Sequence, residues 1–523
     1  VVQNSASGTG AGMTILMNAT NGFGGIKFGD SSNPNQFGIG FDASANLGFL
    51  DVLGGQALTI DSSRNVGIGT VSPSSTLDVD GTTTTNALLS SAASAGANAF
   101  SAGPSAGTTN QGTSAVAVGQ QAGQVTQGGY AVASGYFAGR DTQGGSAVAV
   151  GNNAGTTTQG EYAVAVGRLA GNITQGASAV AVGDSAGKTS QGTYSVAVGG
   201  AAGETAQSNY AIAVGIAAGN ATQGDSAVSV GRLAGATTQG ISAVAVGRSA
   251  GQTAQGNYAV ASGHFAGNDT QGTDAVAVGY SAGQTTQGTS AVAVGRSAGA
   301  TAQGTSSVAV GHYAARTDQG GSAVAVGRSA GETAQGDYAV ATGYAAGNDT
   351  QGTSAVAVGQ SAGQITQGGG AVAVGPNAGN DTQGAVSVAV GNSAGRTTQG
   401  ASSVAVGASA GQTSQGISSV AVGNLAGNNT QGDYAVATGY FAGNANQGAN
   451  SVAVGISAGQ TTQGGLAVAV GNLAGQTTQG GSAVAVGNGA GQTNQGISAT
   501  AVGINAGQTT QGVSTVAVGN RAG

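Results

Sequence analysis

The chain contains no cysteine, so neither disulfides nor thiolate metal sites can hold it together. Proline occurs four times in 523 residues and glycine does not recur at every third position, which excludes a collagen-like triple helix. Charged residues are only 6% of the total, unlike a globular enzyme or a disordered acidic tail. The net charge of −7 is thinly spread, and no run of Lys or Arg suggests binding to nucleic acid. No stretch of about 18 apolar residues is present, so no membrane insertion is expected. The chain opens on Val1 and closes on Gly523 in mid-repeat, so both ends read as cuts in a longer protein.

What the chain does have is a repeat. The stretch Ser114 to Gly129, Ser-Ala-Val-Ala-Val-Gly-Gln-Gln-Ala-Gly-Gln-Val-Thr-Gln-Gly-Gly, returns every 16 residues. The glycine after Val-Ala-Val runs from Gly103 to Gly519 in 27 copies without a slip. The residue three positions on, from Ala106 to Ala522, is alanine in all 27, and Gln127 has an equivalent in all 26 linking segments. Self-similarity at a fixed period signals a solenoid in which each coil covers the next.

Within a coil, Val116 and Val118 alternate with Ala115, Ala117 and Gly119. This is strand periodicity, with β-branched residues on one face and tiny ones on the other. Gly119 is read as a corner, Gln120–Ala122 as a second short extended piece, Gly123 as the next corner, and Thr126-Gln127-Gly128 as the return. The expected fold is all-β, a parallel β-roll-type solenoid of 16-residue coils. The Gln127 column is expected to stack as a ladder of amide hydrogen bonds. Each coil offers two Val and about three Ala as core, too little for a lone coil. Identical chains around a shared axis are therefore expected to cover the valine stripe, with a homotrimeric rod preferred.

Three regions are expected: a β-rich part over 1–80, a Thr/Ser/Ala-rich connector over 81–98, and the solenoid over 99–523. Six of nine phenylalanines lie at or before Phe100. Short runs such as Gly25–Gly29, Phe37–Phe41, Leu58–Asp61 and Val66–Thr70 read as strands between turns.

Chemistry-bearing patterns are sparse. His264 and His312 share a repeat position three coils apart, about 14 Å at strand spacing, too far for a common metal. Asn268-Asp269-Thr270 and its counterparts offer one carboxylate per coil, short of what calcium needs. Gly187-Lys188-Thr189 lacks the upstream glycine of a phosphate loop, whose place is taken by Val182. No serine has a plausible His and acid around it. The expectation is no enzyme, no metal and no cofactor. Tyr136, Phe137, Tyr440 and Phe441, just after the corner glycine, are candidate surface contacts for sugars. Where Tyr130 and its counterparts meet Ser134-type residues, an exchange of volume on one strand face is the preferred reading of these aromatics.

The run Asn65-Val66-Gly67-Ile68-Gly69-Thr70-x-Ser72-Pro73-x-x-x-Leu77-Asp78-Val79-x-Gly81 resembles a segment of bacterial-virus tail fibre proteins. Gly25–Asp30 and Ala57–Ser63 look like the strands that stand before it. The array, Ser-x-Val-Ala-Val-Gly with Ala-Gly three residues on, resembles the head repeats of trimeric autotransporter adhesins, a three-chain parallel β-roll, although the period here is longer. These resemblances imply the structural shaft of a viral tail fibre, an extracellular part of the virion. Its implied partners are identical chains, other virion tail proteins, and a host cell-surface glycan or protein. The alternative is a bacterial trimeric adhesin on the cell surface. An ice-binding solenoid is a third reading, weakened by the drift of the threonine positions between Thr109-type and Thr126-type sites.

Overall fold

The computed structural model describes residues 23–28, 37–42, 47–50, 56–70, 72–74, 76–80 and 96–523. The connector expected over 81–98 lies outside them up to residue 95. The chain divides into two compact units after Leu88. Among the described residues every regular element is a strand, and no helix is long and apolar enough to cross a membrane.

The first unit is one six-stranded sheet of β1 (Phe23–Phe28), β2 (Phe37–Asp42), β3 (Leu47–Leu50), β4 (Gln56–Ile60), β5 (Val66–Ile68) and β6 (Leu77–Val79), in that spatial order. The first five strands form an antiparallel meander, whereas β6 lies parallel to β5 with Val66 opposite Leu77. The β4–β5 turn is tied by Asp61, whose carboxylate accepts from the backbone N–H of Ser63 (2.9 Å) and of Asn65 (2.8 Å). That turn carries Arg64 at φ 69°. Before β6, the backbone N–H and hydroxyl of Ser74 donate to Asp78 at 2.8 and 2.9 Å. Those bonds, the backbone one first, hold the Asp78 carboxyl below its usual range.

The second unit is the solenoid. Each coil contributes one three-residue strand, Val116–Val118 in the type example, and one two-residue strand, Thr126–Gln127. The three-residue strands form one parallel sheet of 27, from Phe100–Ala102 to Val516–Val518, each in register with the strand 16 residues away. The two-residue strands form a second parallel sheet, with Gln127 opposite Gln143.

Hydrogen bonding to the neighbouring coil continues through the turns. Gln121 N–H donates to Pro104 O (2.8 Å), Gly123 N–H to Ala138 O (2.9 Å) and Tyr130 N–H to Thr113 O (2.8 Å). Nearly the whole circumference of a coil is thus paired to the coils above and below, which satisfies backbone groups a thin structure could not otherwise bury.

Two features differ from the sequence reading. Gln120–Ala122 is a turn, not a strand: Ala122 N–H closes back on Gly119 O at 3.2 Å, and Gln121 takes φ 56°. The valines also take no part in the interior. Ala115, Ala117 and Ala122 are fully buried, whereas Val118 is 38% exposed. The reason is depth. A Cβ added to Gly123 would lie 2.7 Å from Gln127 Oε1 and 3.3 Å from Ala117 Cβ. The two walls are therefore one small side chain apart, and only alanine, serine or a flat amide fits between them. Where the Ala115 position is serine, as at Ser195, Ser307 and Ser451, the hydroxyl donates to the glycine carbonyl three residues back at 2.6–2.7 Å.

Candidate functional site

The repeat residues singled out from the sequence form the frame. Gly119 has φ 119°, and a Cβ there would lie 2.8 Å from Gly135 O of the next coil, so both conformation and packing demand glycine. Gly128 is held by packing alone: its added Cβ would lie 2.6 Å from Gly144 C. Gln127 is 1% exposed and is the largest side chain of the interior. Its Nε2 donates across the coil to Val116 O (2.8 Å), to Ala131 O (3.3 Å) and to Gln143 Oε1 of the next coil (3.0 Å). The expected amide ladder is present, with breaks: Gln159 Oε1, for one, is buried without a donor. Ser229, which replaces an Ala117-type residue, donates to Gln239 Oε1 at 2.7 Å, and the alanine stack is interrupted there.

Two turns per coil place a non-glycine residue at positive φ. The first is Ser114 or Tyr130, at 55° and 61°; the second is Gln121 or Phe137, both at 56°. The Tyr130-type residues project from their corner, whereas the Gln121-type residues are more enclosed, Ser249 to 3% exposure. The Tyr130-type rings therefore lie on a turn rather than beside Ser134 on a strand. Tyr130 is 68% exposed and Tyr338 65%, so the volume exchange expected from the sequence has no shared face on which to occur. Tyr194 and Tyr210 stack on successive coils at 5.5 Å between centroids.

The corner after Gly119 carries the nominated surface aromatics. Tyr136 and Phe137 pack ring to ring at 4.0 Å, and Tyr440 and Phe441 at 4.3 Å. The two pairs are nineteen coils apart in sequence, about 90 Å at strand spacing, so they form no joint site. The same corner holds two pairs not nominated from the sequence: His264 with Phe265 at 4.1 Å and His312 with Tyr313 at 3.9 Å. Aligning the chain at its period exposes them, because they occupy the columns of Tyr136 and Phe137.

Charged side chains elsewhere on the solenoid pair between successive coils. Arg168 meets Asp184 at 2.9 Å, Lys188 meets Glu204 at 3.3 Å and Arg316 meets Glu332 at 3.1 Å. Hydrogen bonds from Ser185 and then Arg168 hold the Asp184 carboxyl below its usual range. Lys188, the lysine of the phosphate-loop-like triplet, is thus engaged by a carboxylate. Asn172 and Asn268 are engaged too: their Nδ2 groups donate at 2.9 Å to Asn153 O and Ser249 O of the preceding coil. Among the described residues no cluster of three or more His, Cys, Asp or Glu could hold a metal ion. The arrangement offers a long ruled surface with side-chain columns, suited to contact rather than to enclosing a small substrate. No family model, curated protein or solved structure matches the chain.

Proposed function

We propose that the chain is the structural shaft of a viral tail fibre, self-associated as a homotrimer, which spaces and presents host-binding regions. The observation that carries the association is the outward face of the long-strand sheet. Val116 and Val118 repeat there through 26 steps of the array, relieved only at a few positions such as Ser134, Thr342 and Thr500. At ~4.8 Å per rung and about 7 Å between the two valines, the stripe covers on the order of 900 Å². Monomeric soluble proteins rarely expose an apolar patch beyond about 300–600 Å². The same area is close to the ~800 Å² per partner of a standard interface. The count of three chains, and the choice of a fibre, rest on the sequence resemblances. The reading assigns the chain no enzymatic activity.

Two measurements test it. Sedimentation of the full chain should give three times the 48.6 kDa protomer mass. The variant V244K/V260K/V276K/V292K should sediment as a monomer while keeping its β-sheet circular dichroism. A wild-type monomer at micromolar concentration would defeat the association. Gold-labelled antibody against the chain should decorate virion tails, and labelling of bacterial surfaces instead would favour the adhesin reading that the repeat resemblance supports.

A further inference from the structure

The column that follows the corner glycine changes character over eight consecutive coils. From Arg232 to Tyr344 it carries four arginines, Arg232, Arg248, Arg296 and Arg328. Between them stand both histidines of the protein and two tyrosines, Tyr280 and Tyr344. No carboxylate occupies this column over those coils. That separates these arginines from Arg168, the only other arginine of the column, which is matched by Asp184 one coil on. Among the described residues none of these four arginines makes an ion pair. Arg232 and Arg248 are like charges on adjacent rungs, a costly arrangement that nothing in the fold requires.

The aromatic members lie against the cations. Arg296 Cζ is 5.8 Å from the Tyr280 centroid, and Arg328 Cζ is 5.6 Å from that of Tyr344. Arg248 Cζ lies 6.0 Å from the ring of Phe265, and His264 packs 5.2 Å from Tyr280. Tyr280 and Tyr344 keep 50% and 51% exposure, so each ring retains a free surface beside a guanidinium. His264 and His312 each shelter an Nε2 with no hydrogen-bond partner.

We infer that this row is a binding track for an extended acidic polysaccharide, one whose sugar rings carry carboxylates. A tyrosine ring offers an apolar platform for the C–H face of a sugar, and the adjoining guanidinium offers a planar fork for its carboxylate. The track extends for about 34 Å at one residue per rung, with no depth. Only a linear ligand can touch several rungs at once, and it gains by avidity what each contact lacks. Five arginines are balanced by five carboxylates on other faces between Gly231 and Tyr344, and the chain as a whole carries −7. The attraction is therefore local. This favours a polymer of sparse carboxylates over a nucleic acid, whose dense phosphates need a broad positive field. The inference holds whether the shaft belongs to a virion or to a cell.

The test is binding of the full chain to polygalacturonate, with dextran as neutral polymer and oligothymidylate as nucleic acid. We expect binding to polygalacturonate that weakens with added salt. It should fall about tenfold or more in the variant R232Q/R248Q/R296Q/R328Q, and should be unchanged in the control R168Q/R396Q. Circular dichroism and sedimentation of both variants establish that the rod is intact. Equal binding by the quadruple variant, equal binding to dextran, or tighter binding to oligothymidylate would each overturn the assignment.

Discussion

The two faces of the Val-Ala-Val strand are built on opposite rules. The inner face holds Ala115, Ala117 and the amide of Gln127, all almost wholly removed from solvent, and the outer face holds the larger and more apolar valines. Hydrophobicity alone would order them the other way. Size decides instead, because the short strand stands so close behind the long one that an interior side chain has room for a methyl group or a planar amide. Cohesion inside then comes from backbone bonds between coils and from the glutamine column, and the apolar surface is left for another chain to cover.

The sharpest way to break this contrast is to enlarge each face in turn. Ala261→Leu, on the inner face, should destabilise its coil by about 3 kcal/mol, the upper range for overpacking. Val260→Leu, one residue away on the outer face, should cost under about 1.5 kcal/mol. Stability in a repeat array is local, so the measurement is hydrogen-exchange protection of the coils on either side. Equal losses at the two sites would mean that the interior is not size-limited.

Next in size is the polar member of the interior. Gln255 donates to Val244 O (2.8 Å), Ala259 O (3.1 Å) and Gln271 Oε1 (3.1 Å). Gln255→Ala removes these three bonds and the one its Oε1 accepts from Gln239 (3.1 Å), all in a buried setting, and should cost about 2 kcal/mol, read by the same exchange experiment. A neutral result would shift the cohesion to the alanines.

The smallest effect probes the corners. Val386 is β-branched yet sits at φ 57°, where its counterpart one coil earlier is Gly370. Val386→Gly should stabilise that corner by about 1 kcal/mol through relief of the left-handed conformation. A loss of protection there would show that the exposed side chain is needed by whatever covers the corner.

Much of this architecture could be read from the residues. The period, the long strand and the glutamine ladder are all encoded as columns, and a column of one residue type predicts stacking without any knowledge of the coil's shape. Which face turns inward could not be read so directly. Alternation of Val and Ala shows two faces but not the depth between the walls. That depth depends on the second strand being Thr126–Gln127 rather than Gln120–Ala122. The positive φ of Ser114, Tyr130 and Gln121 was equally hidden, since serine, tyrosine and glutamine carry no signal for that conformation. The arginine, histidine and tyrosine row escapes a linear reading because its members are sixteen residues apart.

Because each rung bonds only to the rungs beside it, the molecule behaves as a ruler with movable graduations. Excising or duplicating one sixteen-residue module keeps the same backbone register at every junction, and shortens or lengthens the reach by ~4.8 Å. Reach can thus be set in uniform increments, with no new kind of joint.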